Sequence, residues 1–196
     1  MSGSGAFTIL HALHNEDADM TTSSDQGFPR WLILLGALTA IGPLSIDMYL
    51  PAFPQIERSL GGLPGSVELT LASFFIGLTL GQLFYGPLSD RFGRKKPLYA
   101  GLAIYTLASI GAAFAPSIPA LIVCRFLQGM GGCAGIIIPS AIVRDRTTAR
   151  ESARAFSLLM LVMGLAPILA PLIGGGLLTH WGWRGIFVVL ALYGSL

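Results

Sequence analysis

The sequence predicts an all-α membrane protein built from several transmembrane helices. Of its 196 residues, 53% are hydrophobic and 11% are charged, and the mean hydropathy is +0.70. A soluble domain usually has about a quarter of its residues charged, so most of this chain is expected to lie in lipid. Long apolar stretches alternate with short polar or basic connections, and most stretches approach the roughly 20 residues that a helix needs to cross a bilayer.

The first element is a polar tail, and the first apolar segment follows it. Residues 1–30 include several acidic residues and no basic residue before Arg30, so the tail lacks the basic start and apolar core of a signal peptide. A first span is predicted over 31–51, in which Asp47 is the one charged residue, and Pro51 and Pro54 are expected to break the helix and close the segment. Residues 54–67 are rich in glycine and proline and are expected to form a loop.

Five further apolar runs follow, and the last of them is short. The charge-free residues 116–119 predict a tight hairpin, and residues 180–184 are expected to turn the chain. The sixth run begins at Gly185; as a helix it covers about 18 Å, whereas the hydrocarbon core is about 30 Å thick, so this helix is expected to be incomplete. The predicted spans after the first are 69–89, 98–115, 120–143, 155–178 and the incomplete 185–196.

Basic residues are concentrated on alternate connections. If the tail is cytoplasmic, nine basic residues lie on that side of the membrane, and only Arg58 and Arg184 lie on the other. The positive-inside rule therefore predicts a cytoplasmic N-terminus. The nine residues are Arg30, Arg91, Arg94, Lys95, Lys96, Arg144, Arg146, Arg150 and Arg154.

Two charged residues, Asp47 and Arg125, fall inside predicted spans. A charge at mid-membrane costs about 2.5–3.5 kcal/mol on insertion scales, so each is a candidate functional residue. Counted from the outer ends of their spans, both lie in the outer half of the membrane, and they are expected to pair. A carboxylate that alternates between an arginine and a proton can couple proton movement to conformational change. Two alternatives stay open: a static ion pair, and an Asp47 that only faces water.

A second set of residues is expected to shape how the helices pack and bend. Pro167 and Pro171 each remove a helical hydrogen bond, so a kink is expected in the fifth span. Gly129 and small residues near it, Gly132 and Cys133, would let another helix approach closely. The candidate packing and hinge residues are Pro51, Gln128, Gly129, Pro167, Pro171, Gly174 and Gly175.

Enzyme and nucleic-acid motifs are weak or lacking in the sequence. A formal net charge of +2 is too small to suggest a nucleic-acid partner. Residues 129–134 have the spacing of a dinucleotide-binding fingerprint, but they lie inside an apolar span, whereas that motif follows a strand. The spans contain no nucleophile with a base partner and no cluster with metal-ligand spacing. We therefore expect a protein that is not an enzyme and that uses neither a metal nor a cofactor.

Four stretches resemble motifs of the major facilitator superfamily, and within it the Bcr/CflA type of drug-efflux transporter. Residues 86–96 (GPLSDRFGRKK) are similar to the signature between spans two and three, and residues 121–131 (LIVCRFLQGMG) to the fourth-span motif of proton antiporters. Residues 165–175 (LAPILAPLIGG) resemble the antiporter motif of span five, with Ala170 in place of the usual glycine. Residues 45–54 (SIDMYLPAFP) point to the subfamily.

This resemblance implies the N-terminal six-helix half of a transporter, with a truncated sixth helix and a missing C-terminal half. The implied function is proton-coupled efflux of small amphipathic compounds across the bacterial inner membrane. A proton-coupled metabolite carrier and a membrane remnant that does not transport are the alternatives.

The resemblance also implies roles for individual residues. Arg125 would couple proton movement to transport, and Asp145 would pair with Arg94 at a cytoplasmic gate. The alternative for Asp90 is a merely solvated charge among the neighbouring cations. The implied gate residues are Gly86, Asp90, Arg91, Gly93, Arg94 and Asp145.

Overall fold

The described part of the chain folds into six α-helices. The computed structural model describes residues 30–195, so the predicted tail lies outside this range except for the backbone of Arg30. The described residues contain helices and no strand, which confirms the predicted all-α class. The helices are α1 (Arg30–Asp47), α2 (Phe53–Leu60), α3 (Ser66–Phe92), α4 (Lys95–Ala113), α5 (Ile118–Arg146) and α6 (Ala149–Gly194).

The segment after α1 differs from the loop predicted for residues 54–67. A 3₁₀ turn, Leu50–Ala52, leads into α2, which ends at Gly61 in the left-handed conformation with φ of 65°. The prediction was wrong because it took Pro54 as a helix breaker. Pro54 lies in the first turn of α2, where the missing N–H has no helical partner to lose.

Local capping explains where the later helices begin. Gly93, with φ of 79°, follows α3 and separates it from α4. Ser117 caps α5 by accepting a hydrogen bond from the Ala120 N–H, and Pro119 occupies the first turn of that helix. Thr148 and Glu151 form a capping box at the start of α6.

Helix α6 continues through the turn that the sequence predicts at residues 180–184. Its one residue with non-helical dihedral angles is Gly182, with φ of 67° and ψ of −177°. The expected turn is therefore a single-residue break, and glycine is suited to it because φ is positive. The prolines of the fifth span, Pro167 and Pro171, lie within the helical part.

Small residues on α5 allow two helices to approach it closely. A Cβ atom at Gly129 would overlap the carbonyl oxygen of Phe74 on α3, and one at Gly131 would meet the backbone of Tyr105 on α4. Cys133 lies against Gly81 of α3. The small residues of α5 thus lie directly against the backbones of α3 and α4.

Four helical segments are long and apolar enough to cross a membrane by length and composition. Helix α4, predicted as a span, is not among them, because its 19 residues begin with two lysines and a proline. Helix α6 counts as one segment although it covers the fifth and sixth predicted runs. The four segments are Trp31–Leu60, Ser66–Phe92, Ile118–Arg146 and Ala149–Gly194.

Candidate functional site

Arg125 is completely buried in the interior of the helix bundle. Its side chain has 0% relative exposure and extends from α5 among three aromatic rings. The guanidinium carbon lies 4.5 Å from the ring centre of Tyr49, 4.3 Å from that of Phe74 and 5.9 Å from that of Phe187. A cation–π contact is worth about 0.5–1 kcal/mol at an exposed site and about 2 kcal/mol or more when the cation is desolvated, as Arg125 is.

A chain of hydrogen bonds leads from Arg125 to α4. The Arg125 Nη1–H donates to Gln128 Oε1 at 2.6 Å, and the Gln128 Nε2–H donates to Ser109 Oγ at 2.7 Å. The Ser109 hydroxyl donates to the Tyr105 carbonyl at 2.7 Å, and the Tyr105 hydroxyl lies 2.6 Å from Ser45 Oγ on α1. Tyr105 thus contributes its carbonyl to the contacts with α5 and its hydroxyl to the contact with α1, so buried polar contacts connect the three helices.

The expected ion pair between Asp47 and Arg125 does not occur in this conformation. Within residues 31–195, the salt bridges that form all involve Arg94. Asp47 is the last residue of α1 and is only partly buried. The ring of Tyr49, two residues further on, lies against the guanidinium instead. Arg125 is thus surrounded by π faces and an amide and has no counter-ion among residues 31–195.

The guanidinium keeps unused capacity for hydrogen bonds. The Nε and Nη2 atoms of Arg125 are buried and have no acceptor among the described residues. A buried donor without a partner costs about 1–3 kcal/mol, and more when it is charged. The arrangement is therefore suited to receive an anionic group, such as a carboxylate, when the helices move. Residues 30–195 contain no group of histidine, cysteine or acidic residues arranged to hold a metal ion.

A second charged cluster lies on the surface, where α3, α4 and α5 end or begin. Arg94 donates from Nη1 to Asp90 at 2.6 Å and to Ser89 Oγ at 2.7 Å, and from Nε to Asp145 at 2.8 Å. The predicted pairing of Arg94 with Asp145 is therefore observed. These hydrogen bonds, chiefly the one to Asp145, raise the pKa of Arg94 above its ordinary value.

The other residues of the predicted gate motif have backbone or surface positions. A Cβ atom at Gly86 would meet no neighbouring atom within 4 Å. The guanidinium carbon of Arg91 lies 5.5 Å from the ring centre of Phe92, and Gly93 supplies the positive φ between α3 and α4. Arg91 therefore does not join the ion-pair cluster.

The candidate hinge residues differ in how closely they are packed. Gly174 lies against the backbone of Met48, where a Cβ atom would overlap the carbonyl, whereas Gly175 has open space beside it. Pro51 lies in the 3₁₀ turn after α1. The structure thus brings α6 against the end of α1 at Gly174.

The sequence did not identify the residues that surround Arg125. Tyr49 lies in the turn after α1, Phe74 in α3 and Phe187 in α6. The three rings are far apart in sequence, so no local spacing predicts that they meet. A second contact also went unrecognised: Gln55 Oε1 accepts a hydrogen bond from the Trp183 N–H at 2.8 Å, and Ser59 Oγ accepts one from the indole at 2.8 Å. This contact replaces the helical hydrogen bonding interrupted at Gly182.

Comparison with known proteins identifies relatives for nearly all of the described chain. The sequence model of the Major Facilitator Superfamily matches residues 30–196. The chain is similar to the uncharacterized MFS-type transporter YdgK of Bacillus subtilis (strain 168), with 46% identity over 83% of this chain and 41% of that protein.

Two other relatives carry resistance names. The bicyclomycin resistance protein homolog of Haemophilus influenzae is 36% identical over 85% of this chain and 42% of its own length. The multidrug resistance protein D of Escherichia coli (strain K12) is 35% identical over 81% and 40%. The chain thus spans about two fifths of the length of the curated relatives that it matches.

Proposed function

The chain belongs to the major facilitator superfamily, a family of multi-pass membrane transporters, and we propose that it acts in proton-coupled efflux of small amphipathic compounds. In this proposal it contributes an N-terminal six-helix half to a transporter of the bacterial inner membrane. It is a transporter component rather than an enzyme. The resistance names of two relatives support export of toxic compounds.

The observation that carries the proposal is the fully buried guanidinium of Arg125, which has no ion-pair partner in the described part of the chain. A charge without a counter-ion in the bundle interior lowers stability, because aromatic and amide contacts replace its hydration only in part. Residues that cost stability are expected at functional sites. We therefore assign Arg125 to the coupling step and not to the support of the fold.

Asp47 is the proposed proton-binding partner. In the present conformation its carboxylate is not paired with Arg125, whose Nε–H and Nη2–H find no acceptor within the residues that the structure describes. A movement of α1 against α5 that brought the carboxylate to these donors would favour the deprotonated form. Withdrawal would let Asp47 take up a proton, so proton binding and helix movement would depend on each other.

The Arg94 cluster is the proposed cytoplasmic gate. Its ion pairs and hydrogen bonds join the end of α3, the start of α4 and the end of α5, so the gate can open only if these bonds break. The excess of basic residues on these connections supports a cytoplasmic position for them and for the N-terminus.

A second six-helix half is the proposed structural partner. The relatives are more than twice as long as the part that this chain matches. Transporters of this type bind substrate between two halves and alternate access by rocking one half against the other. The lipid bilayer, the substrate and protons complete the proposed set of partners.

The test is drug-dependent proton flux across vesicles that contain a complete transporter carrying this segment. The proposal predicts that an outward-pumped compound causes proton movement in the opposite direction. Compound movement without proton movement would contradict coupling. Proton flux that responds to a polar metabolite and not to amphipathic drugs would favour the metabolite carrier, and no flux with any compound would favour a remnant that does not transport.

A further inference from the structure

Gln128 joins Arg125 to α4, and its side-chain amide has a fixed orientation. The amide presents its oxygen to Nη1, the one orientation in which it can bond to arginine, which has only donors, and its nitrogen faces Ser109. The final torsion of a glutamine side chain is broad, so one hydrogen bond alone leaves the amide free to turn. A second contact is needed to keep the oxygen in place.

Ser109 supplies this second contact, and it can do so only as a hydrogen-bond acceptor. Its hydroxyl hydrogen is used in the 2.7 Å hydrogen bond to the Tyr105 carbonyl, so the hydroxyl oxygen is left to accept. The group that it accepts from is the Gln128 nitrogen, 2.7 Å away. If the amide were reversed, two donors would face each other at Arg125 and two acceptors would face each other at Ser109.

The packing of α4 against α5 fixes the position of Ser109. Gly131 lies so close to α4 that a Cβ atom would meet the backbone of Tyr105 and Gly101. Ser109, one turn after Tyr105, is fully buried and cannot exchange its contact for water. Its hydroxyl is therefore held at a constant distance from the Gln128 amide.

We propose that Ser109 is a positioning residue that orients the Gln128 amide and so directs its oxygen onto Arg125. The importance of this role for transport rests on the function proposed above for Arg125. The orientation of the Gln128 amide can be tested on the 196-residue chain without any transport assay. The proposed role of Ser109 and the proposed function can therefore fail separately.

The test is nuclear magnetic resonance of the arginine side chains in the purified chain, labelled with ¹⁵N-arginine and held in lipid nanodiscs. The spectrum of Arg125→Lys identifies the Arg125 signals by their loss. The spectrum of Gln128→Leu then gives the position of the Nη1 signal when the amide acceptor is missing.

In Ser109→Ala, the Nη1 signal should move towards its position in Gln128→Leu. The matched control is Ser73→Ala. Ser73 is also buried, and its hydroxyl donates to the Thr70 carbonyl of its own helix and to the Ile122 carbonyl of α5, with no hydrogen bond to Arg125 or Gln128. The control should leave the Arg125 signals where they are in the wild-type spectrum.

A double variant excludes a general loosening of the bundle. A carboxylate accepts from arginine through either oxygen, so in a Gln128→Glu background the loss of Ser109 should not move the Arg125 signals further. The proposal is overturned if Ser109→Ala leaves the signal at its wild-type position, if Ser73→Ala moves it equally, or if Ser109→Ala still moves it in the Gln128→Glu background.

Discussion

Arg125 and Arg94 carry the same guanidinium group, but the contacts that each guanidinium makes are opposite in kind. Arg94, with 27% of its side chain exposed, binds two carboxylates and a serine hydroxyl at the surface. Arg125, with none of its side chain exposed, contacts an amide and three aromatic rings and, among residues 31–195, no carboxylate. Water can hydrate the first when its ion pairs break, but it cannot reach the second. The surface arginine can therefore break and re-form its ion pairs, whereas the buried one keeps two N–H donors without an acceptor among the described residues.

The largest expected effect concerns the partner that Arg125 lacks in this conformation. In a complete transporter with this segment, Asp47→Asn should lower proton-coupled efflux by about a hundredfold or more, because the amide has nearly the same shape but binds no proton. The variant should still insert, since it removes a charge from an apolar helix. Drug-dependent proton flux and the amount of protein in the membrane measure the two effects. Unchanged proton flux would show that Asp47 takes no part in coupling.

A stability measurement separates the function of Arg125 from its contribution to the fold. Gln128→Leu removes the amide acceptor of a buried charge and should lower the Tm of the purified chain in detergent. Arg125→Met combined with Gln128→Leu replaces both partners by apolar groups and should give a Tm at or above that of the wild type. A double variant with a lower Tm than Gln128→Leu alone would show that the guanidinium stabilises the fold.

The smallest effect is expected at the surface cluster. Asp145→Asn weakens one of the ion pairs of Arg94, and both partners are partly exposed, so the Tm should fall only slightly. The difference from wild type should disappear at about 1 M salt, where the Debye length is about 3 Å. Thermal unfolding at low and high salt measures this. A large decrease in Tm that persists at high salt would mean that the Arg94 cluster does not behave as a screened surface ion pair.

The contrast between the two arginines also shows what the sequence could predict. The pairing of Arg94 with Asp145 was predicted from a motif resemblance, and both residues lie close in sequence to the ends of predicted spans. The surroundings of Arg125 depend on rotations of helices that are far apart in sequence, so Phe74 and Phe187 could not be assigned to it. Apolar composition identifies a buried face, but it does not say which ring meets the charge.

Two backbone features show the same limit. Pro54 was taken to prevent a helix, but its effect depends on where the helix begins, and here it lies in the first turn of α2. The turn predicted near His180 is confined to Gly182. The break leaves the Trp183 N–H without a helical partner, and Gln55 Oε1 accepts its hydrogen bond instead. A contact between residues so far apart in sequence cannot be predicted from local composition.

The most direct test of the central claim is drug-dependent proton flux in a complete transporter that carries Arg125→Lys. Lysine keeps the positive charge, but it cannot reproduce the planar group that lies between the rings of Tyr49 and Phe74 while donating to Gln128. A coupling role for Arg125 predicts normal insertion and loss of drug-dependent proton flux. Flux equal to that of the wild type would contradict it, because a positive charge at this position would then be sufficient without the guanidinium geometry.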